Sequence, residues 1–292
     1  MSIFMLRLSQ SFFLLLLCAL LTACGAIKLT YNNADSLIYW WLDGYVDFTV
    51  DQKVEVKNEL SAFHQWHRKT QLAVFADTAL SLQSEIVGDV TAAQLCAKWD
   101  QLQERLLPPL TTYLEPKVLW LVTHLSPDQI KSMEDKYAKT NEKWLDEWQP
   151  KTKRELTKNT EKAIRERTDS FYGNLEDEQR KWLQETIRTS PFDSKIAYAE
   201  RQRRQRDMLT TLKDIQAKKL NPDAAREPIR ALLQRSLVSP DATYLAYATR
   251  MKQSNCDLYA KLHNSMNAEQ RKHALSKLKD YERDFKTLQA QK

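Results

Sequence analysis

Glycine is nearly absent from this sequence: 4 residues in 292, where average usage would supply roughly 20. Phosphate-binding α/β folds take glycines at their strand-to-helix turns, and antiparallel β folds take them in hairpins. A chain this poor in glycine builds neither in quantity. Four cysteines are too few for a disulfide-knotted scaffold, and one short apolar run at the N-terminus does not make a multi-span membrane protein. What remains, 42% hydrophobic and 28% charged, points to helices with charged outer faces and an aromatic core.

Helix starts recur along the chain. Thr49-x-x-Gln52, Thr91-x-x-Gln94 and Ser126-x-x-Gln129 read as capping boxes, in which the hydroxyl accepts from an early N–H and the Gln side chain reaches back. Asn267 with Gln270 is a looser version, and Leu175 with Gln179 a weaker one. Asn221-Pro222-Asp223 and Ser239-Pro240-Asp241 place Pro at a first helical position. Apolar residues recur at steps of three and four in Leu72, Phe75, Ala79, Leu82 and Ile86, and in Ile130, Met133, Tyr137, Trp144 and Trp148, where Asn141 is the one polar intrusion.

The expected helices run over about 50–87, from 91 with a break or kink at Pro108-Pro109 and Pro116, and from 126 through a bend at Pro150 to Gly173. Shorter ones follow at 176–189, 193–219, 223–237, 241–264 and 268–290. The starts after Phe48, Val90, Leu125, Leu175 and Met266 are 42, 35, 50 and 91 residues apart, too uneven for a solenoid. The expected fold is all-α, an irregular, elongated bundle of long antiparallel helical hairpins over residues 49–292. It forms either one continuous domain or two subdomains with a soft boundary near 173–192.

The N-terminus carries the most specific signal. Arg7 precedes an apolar stretch, Phe12 to Leu21, too short for a comfortable span and suited to an export signal over residues 1–23. It ends in Leu21-Thr22-Ala23-Cys24-Gly25, which resembles a bacterial lipobox. That resemblance implies cleavage before Cys24, acylation of its thiol, a mature chain of 269 residues (292 − 23), and a lipid anchor in the outer membrane facing the periplasm. The formal charge falls from +6 to +5 when Arg7 leaves.

No Ser/Gly/Pro-rich tether follows the cysteine. Residues 24–48 form a membrane-proximal aromatic segment in which Gly44 is expected to loosen the backbone. Trp40 and Trp41 either seal a helical core, the favoured reading, or lie among lipid headgroups. With Cys18 lost and Cys24 acylated, Cys96 and Cys256 are left as a disulfide pair or as two separate buried thiols.

Three clusters are candidate sites. In His64-Gln65-Trp66-His67-Arg68 two histidines share a helical face, but no acid nearby completes a zinc pattern, and Glu59 or Asp77 would have to join through the fold. Trp66, His67 and Arg68 are therefore read as a polar-aromatic contact cluster, with no metal and no cofactor expected. Arg201, Arg203, Arg204 and Arg206 stand in the segment 192–219, where 8 basic and 4 acidic residues leave a net +4. They form either a solvated face or a basic contact surface for lipid phosphate, lipopolysaccharide or an acidic envelope protein; an exported chain does not meet nucleic acid. Glu269 with His273 reads as a surface pair, and His124 has no evident partner. No nucleophile elbow, glycine-rich phosphate loop or C-x-x-C is present, so an enzyme is not expected.

The lipobox, Leu29-Thr30-Tyr31-Asn32, Trp41-Leu42-Asp43-Gly44-Tyr45-Val46-Asp47, Thr49 to Gln52 and Trp66-His67-Arg68 together resemble an uncharacterised family of proteobacterial lipoproteins whose domain has no known function. Lys69-Thr70-Gln71-Leu72-Ala73 departs from the Glu-Leu-Pro-like continuation associated with that family. Phe48 to Gln52 and Val90 to Gln94 also look like the Leu-Thr-x-x-Gln motif of the helical periplasmic Spy/CpxP proteins, some of them ATP-independent chaperones. The expectation is a non-enzymatic binding or structural lipoprotein of the cell envelope. A periplasmic chaperone is the alternative, and a metal-dependent or hydrolytic enzyme a second one.

Overall fold

Capping residues set the helix boundaries. In the computed structural model, which describes residues 27–149 and 152–291, Thr49, Thr91, Ser126, Asn221 and Asn267 each accept an early backbone N–H at the start of a helix. The helices are α1 (Ala34–Val46), α2 (Val50–Glu85), α3 (Ala92–Thr123), α4 (Pro127–Trp148), α5 (Lys153–Tyr172), α6 (Asp177–Arg188), α7 (Ser194–Ala217), α8 (Pro222–Leu237), α9 (Ala242–Asn264) and α10 (Ala268–Ala290), and residues 27–32 are helical before α1. The export segment, Cys24 and Pro150 lie outside the described residues.

Four expectations about punctuation are corrected. Helix α3 runs unbroken through Pro108, Pro109 and Pro116. All three prolines are exposed on its outer side, where water can reach the freed carbonyls, while the inner side packs on α2, α7, α8 and α9. Gly44 does not loosen the backbone: α1 continues to Val46, and the missing side chain admits Lys136, whose Nζ lies 3.5 Å from where a Cβ would stand. The segment 126–171 is two helices in mutual contact, the second capped by Thr152, whose hydroxyl accepts from the Glu155 N–H. Asp241, not Ser239, caps α9, which leaves Pro240 outside the helix. Gly173 does end α5, at φ 81°, a conformation that favours glycine.

The bundle is all-α among the described residues and is built from antiparallel contacts. Helix α2 runs against α10, with Arg68 reaching the Leu288 carbonyl at one end and Gln83 bonding Glu282 further along. Helix α3 runs against α9 and α4 against α7 in the same sense. One apolar core gathers Tyr39, Phe48, Leu119, Ile130, Leu212 and Ile229; a second gathers Leu175, Leu183, Leu258 and Leu262.

Four of the Gln residues placed by capping do more than cap. Gln52 and Gln129 face each other and exchange side-chain hydrogen bonds of 3.3 and 2.6 Å. Gln52 also donates to the His124 carbonyl, Gln129 donates to the Asp47 carbonyl, and each Oε1 accepts the N–H of its own cap. Gln179 and Gln270 repeat the arrangement with bonds of 2.9 Å each way and donations to Ser265 and Asn174. In all four, the donation reaches the carbonyl five residues before the partner Gln. Each amide thus uses both donors and both acceptor positions while only 5–7% exposed. Each clasp joins two helix–turn–helix corners, α1–α2 to α3–α4 and α5–α6 to α9–α10.

Candidate contact surface

The His64–Arg68 cluster is a latch within the fold. The Tyr31 hydroxyl hydrogen-bonds His67 Nδ1 at 2.9 Å, and Arg68 donates to Asn32 and to the Leu288 carbonyl, so residues 27–32, α2 and α10 are tied together. Trp66 stacks on Tyr113 of α3 at 4.4 Å. Glu59 pairs with Lys117 and Asp77 with Arg105, so neither acid joins the histidines. Among the described residues no group of three or more His, Cys, Asp or Glu is placed to hold a metal ion.

The remaining histidines also serve the fold. His124 stacks on Trp120 and shares a hydrogen bond with its carbonyl; His273 does the same with the Phe171 carbonyl. His263 is 3% exposed, and its Nε2 faces the Gly88 carbonyl, which only accepts. The neutral ring therefore carries its proton on Nε2, and Nδ1 accepts from the Tyr172 hydroxyl, a phenol that burial pushes up to about 12.

Burial lowers the pKa of His64, His67 and His263 below the ordinary 6.5. The unfolded chain then binds more protons in the window beneath 6.5. Stability from these groups is present above that value and is lost as pH falls through their folded values. The melting temperature should hold steady above about pH 7 and fall toward about pH 5, less steeply in His263→Gln. A melting temperature independent of pH across that window would contradict the assignment of neutral, buried rings.

The arginine run is not a free basic stripe. Arg203 donates to Glu200, Asp207 and the Arg235 carbonyl, and Arg201 donates to Asn141 and Thr140 on α4. The polar intrusion Asn141 is thereby satisfied, with Gln205 as its further partner. Burial would raise the Glu200 carboxyl, but hydrogen bonds from Arg203, Arg204 and Ser239 outweigh it and hold the group below its usual range. Arg206 alone of the four is exposed.

What opens to solvent is a groove of about 340 Å³ where α1, α4, α7 and α9 meet, lined by Tyr45, Tyr137, Glu200, Arg201, Arg204 and Tyr244. Arg204 lies over the Tyr244 ring and bonds Glu200 through Nε, which leaves its outer guanidinium edge toward the groove. Arg201, Arg203, Arg204 and Arg235 against Glu200 and Asp207 leave a local excess of two positive charges. Phenol edges and a guanidinium in one recess suit a phosphate, a carboxylate or a sugar.

Trp40 and Trp41 do not seal a core: they are 72% and 62% exposed, because Tyr39, Val46 and Phe48 take the inward positions. Trp41 packs on Tyr45 at 5.0 Å, so the exposed aromatic face adjoins the groove. Of the two arrangements open for the remaining cysteines, the structure has the disulfide: Cys96 of α3 and Cys256 of α9 are bonded across a sequence separation of 160.

The family model described as a family of unknown function (DUF6279) matches residues 44–242, which is 199 of the 292 residues and includes Trp66, His67 and Arg68. No curated protein and no solved structure matches the chain.

Proposed function

The chain belongs to this family of unknown function, and from its own residues we propose that it is a lipid-anchored module of the bacterial cell envelope that binds or scaffolds rather than catalyses. It is an all-helical domain, and among the described residues no helix is long and apolar enough to cross a membrane. In this reading Cys24 holds it to the outer membrane on the periplasmic side. The groove carries the reading: Tyr45, Tyr137, Tyr244, Arg201 and Arg204 line it, and its one carboxylate, Glu200, is held by Arg203, Arg204 and Ser239. His67 and His263 are engaged elsewhere inside the fold. The Cys96–Cys256 bond supports an oxidising compartment. The partner group is acidic, as in lipid phosphate, lipopolysaccharide or a carboxylate-rich envelope protein.

The test joins anchor to groove. Cells making the full chain should incorporate radiolabelled palmitate into it, and Cys24→Ala should lose both the label and the membrane fraction. Purified lipopolysaccharide or phosphatidylglycerol should bind the full chain, and Arg204→Gln should weaken that binding by about tenfold or more, the worth of a charge-assisted bond of about 1.5–3 kcal/mol. An unlabelled wild type refutes the anchor, and equal binding by Arg204→Gln refutes the groove. Chaperoning is the second reading, favoured by the exposed Leu29, Leu37, Trp40 and Trp41. Stoichiometric suppression of client aggregation by the full chain would move it ahead.

A further inference from the structure

Helix α1 is apolar on both sides. Its inner side buries Tyr39 and Val46 and packs Leu42 and Tyr45 against the core it shares with α2 and α4. On its outer side Leu37, Trp40 and Trp41 stand 52%, 72% and 62% exposed, and Leu29 on the preceding helical segment stands 69% exposed. The positions repeat at steps of three, four and eight, so they form one stripe. The rest of that side is Thr30, Asn32, Asn33, Ser36 and Gly44. Every exposed residue between 29 and 46 is uncharged, in a chain that is 28% charged. Of the two acids of the stretch, Asp35 is half-buried, accepts its neighbour's N–H and borders a recess with Tyr39, Trp40 and Lys57 at the edge of the stripe, while Asp43 accepts the Phe48 N–H and pairs with Lys53. Surface helices of water-facing bundles carry charge outward; one whose outward side shows large apolar side chains and no charge is suited to a second apolar medium.

The first medium is the core. We propose that the other is the interfacial layer of the membrane itself, with the stripe Leu29–Leu37–Trp40–Trp41 lying flat in it as a second contact beside the lipid. This rests on the reading of Cys24 as the anchor. The three residues from Cys24 to Ile27 span at most about 10 Å, so an acylated Cys24 holds the start of this helical stretch at the bilayer surface. A stripe of about 18 Å along the axis then meets the headgroups without a linker. Indole rings favour that layer, which accepts both an apolar body and an N–H. The groove beside Tyr45 comes to the same surface, within reach of phosphates.

The measurement is tryptophan quenching in the full acylated chain, purified in detergent and reconstituted into vesicles of phosphatidylethanolamine and phosphatidylglycerol brominated near the top of the acyl chain. Wild-type fluorescence should be quenched, and the quenched component should fall by about a factor of two or more in Trp40→Phe/Trp41→Phe, because these two rings lie at the depth of the bromines. Both side chains are exposed, so the variant keeps the fold, which circular dichroism checks. Equal quenching in an acylated wild type and the double variant overturns the seating while leaving the anchor intact. A mass spectrum without acyl chains on Cys24 overturns the anchor and the seating with it. A detergent-stable dimer that the double variant abolishes assigns the face to a second copy of the chain and also overturns the proposal.

Discussion

Gln52→Leu should destabilise the fold by about 3–5 kcal/mol in a denaturant titration followed by circular dichroism, a large loss for a polar side chain. The substitution keeps the volume and removes four hydrogen bonds at once. The Thr49 N–H, the His124 carbonyl and both functions of the Gln129 amide lose their partner in a place where Gln52 and Gln129 are 7% and 5% exposed. Each buried group left unmatched costs about 1–3 kcal/mol, and partial access of water to the backbone groups brings the sum down. Gln52→Leu/Gln129→Leu should cost less than the two single losses added, because the orphaned amide disappears with its partner. Gln94→Leu is the control. Gln94 also closes a capping box, but its amide is exposed and serves only Thr91, so the expected cost is about 1 kcal/mol or less. Equal costs at Gln52 and Gln94 would show that capping, not the clasp, is the source of the effect. The same comparison can be run on Gln179 and Gln270 at the other end of the bundle.

Gln94 also shows where the sequence stops being legible. Thr91-x-x-Gln94 has the same form as Thr49-x-x-Gln52, and local rules assign both to caps, correctly. Clasping depends on which helix start arrives opposite, 77 residues away for Gln52 and 91 for Gln179. A local signal does separate the two kinds. The clasped starts place an acid just before the Gln, namely Asp51, Asp128, Glu178 and Glu269, where the unclasped one has Ala93. Two helix N-termini brought together oppose their positive ends, and an acid in each first turn offsets that. Stripe periodicity and caps were enough for helix order and class. Proline was misread in α3 because its local penalty says nothing about which side faces water, and only packing shows that Pro108, Pro109 and Pro116 share the outer side.

The candidate surface was less legible, for a related reason. The run Arg201 to Arg206 lies in a stretch that sums to +4 with Glu200 and Asp207 already counted. The sum does not show that Glu200 is clamped by Arg203 and Arg204, or that Asp207 is shared between Arg203 and an Arg235 arriving from α8. Charge counted along the chain misses charge matched across the fold. The aromatic pair failed in the opposite sense. Trp40 and Trp41 have the composition of a core, and their exposure follows from Tyr39 and Phe48 already filling it, with rings 6.3 Å apart. What composition did carry is the absence of charge from that face, which was open to inspection once helical spacing placed 37, 40, 41 and 44 together.

Removing the disulfide should have an effect of similar size by a different route. Cys96→Ala/Cys256→Ala releases a loop spanning 160 positions, and a chain-entropy account of such a loop gives about 5 kcal/mol, with about 2–4 the usual yield. For a chain of this size the melting temperature should drop by about 5–10 °C. The loss should fall on one element first. Near its start, α3 is held to α9 by the bond itself, by the exchange between Val90 and Asn264, and by the pair Asp100–Lys252. Further along, its three prolines have removed three backbone donors, so the helix persists through its neighbours rather than through its own ladder. Freed of the covalent tie, residues 92–107 should exchange their amide hydrogens faster than the α2–α10 pair, and the same pattern should follow reduction of the wild type. Thiol titration of the oxidised, unfolded full chain should find no free thiol at Cys96 or Cys256. If both react, the bond is absent in the folded protein, the double substitution should be close to neutral, and the argument for an oxidising compartment loses its support. If neither reacts and α3 still exchanges slowly after reduction, packing against α2, α7, α8 and α9 holds the proline-bearing helix without the covalent tie.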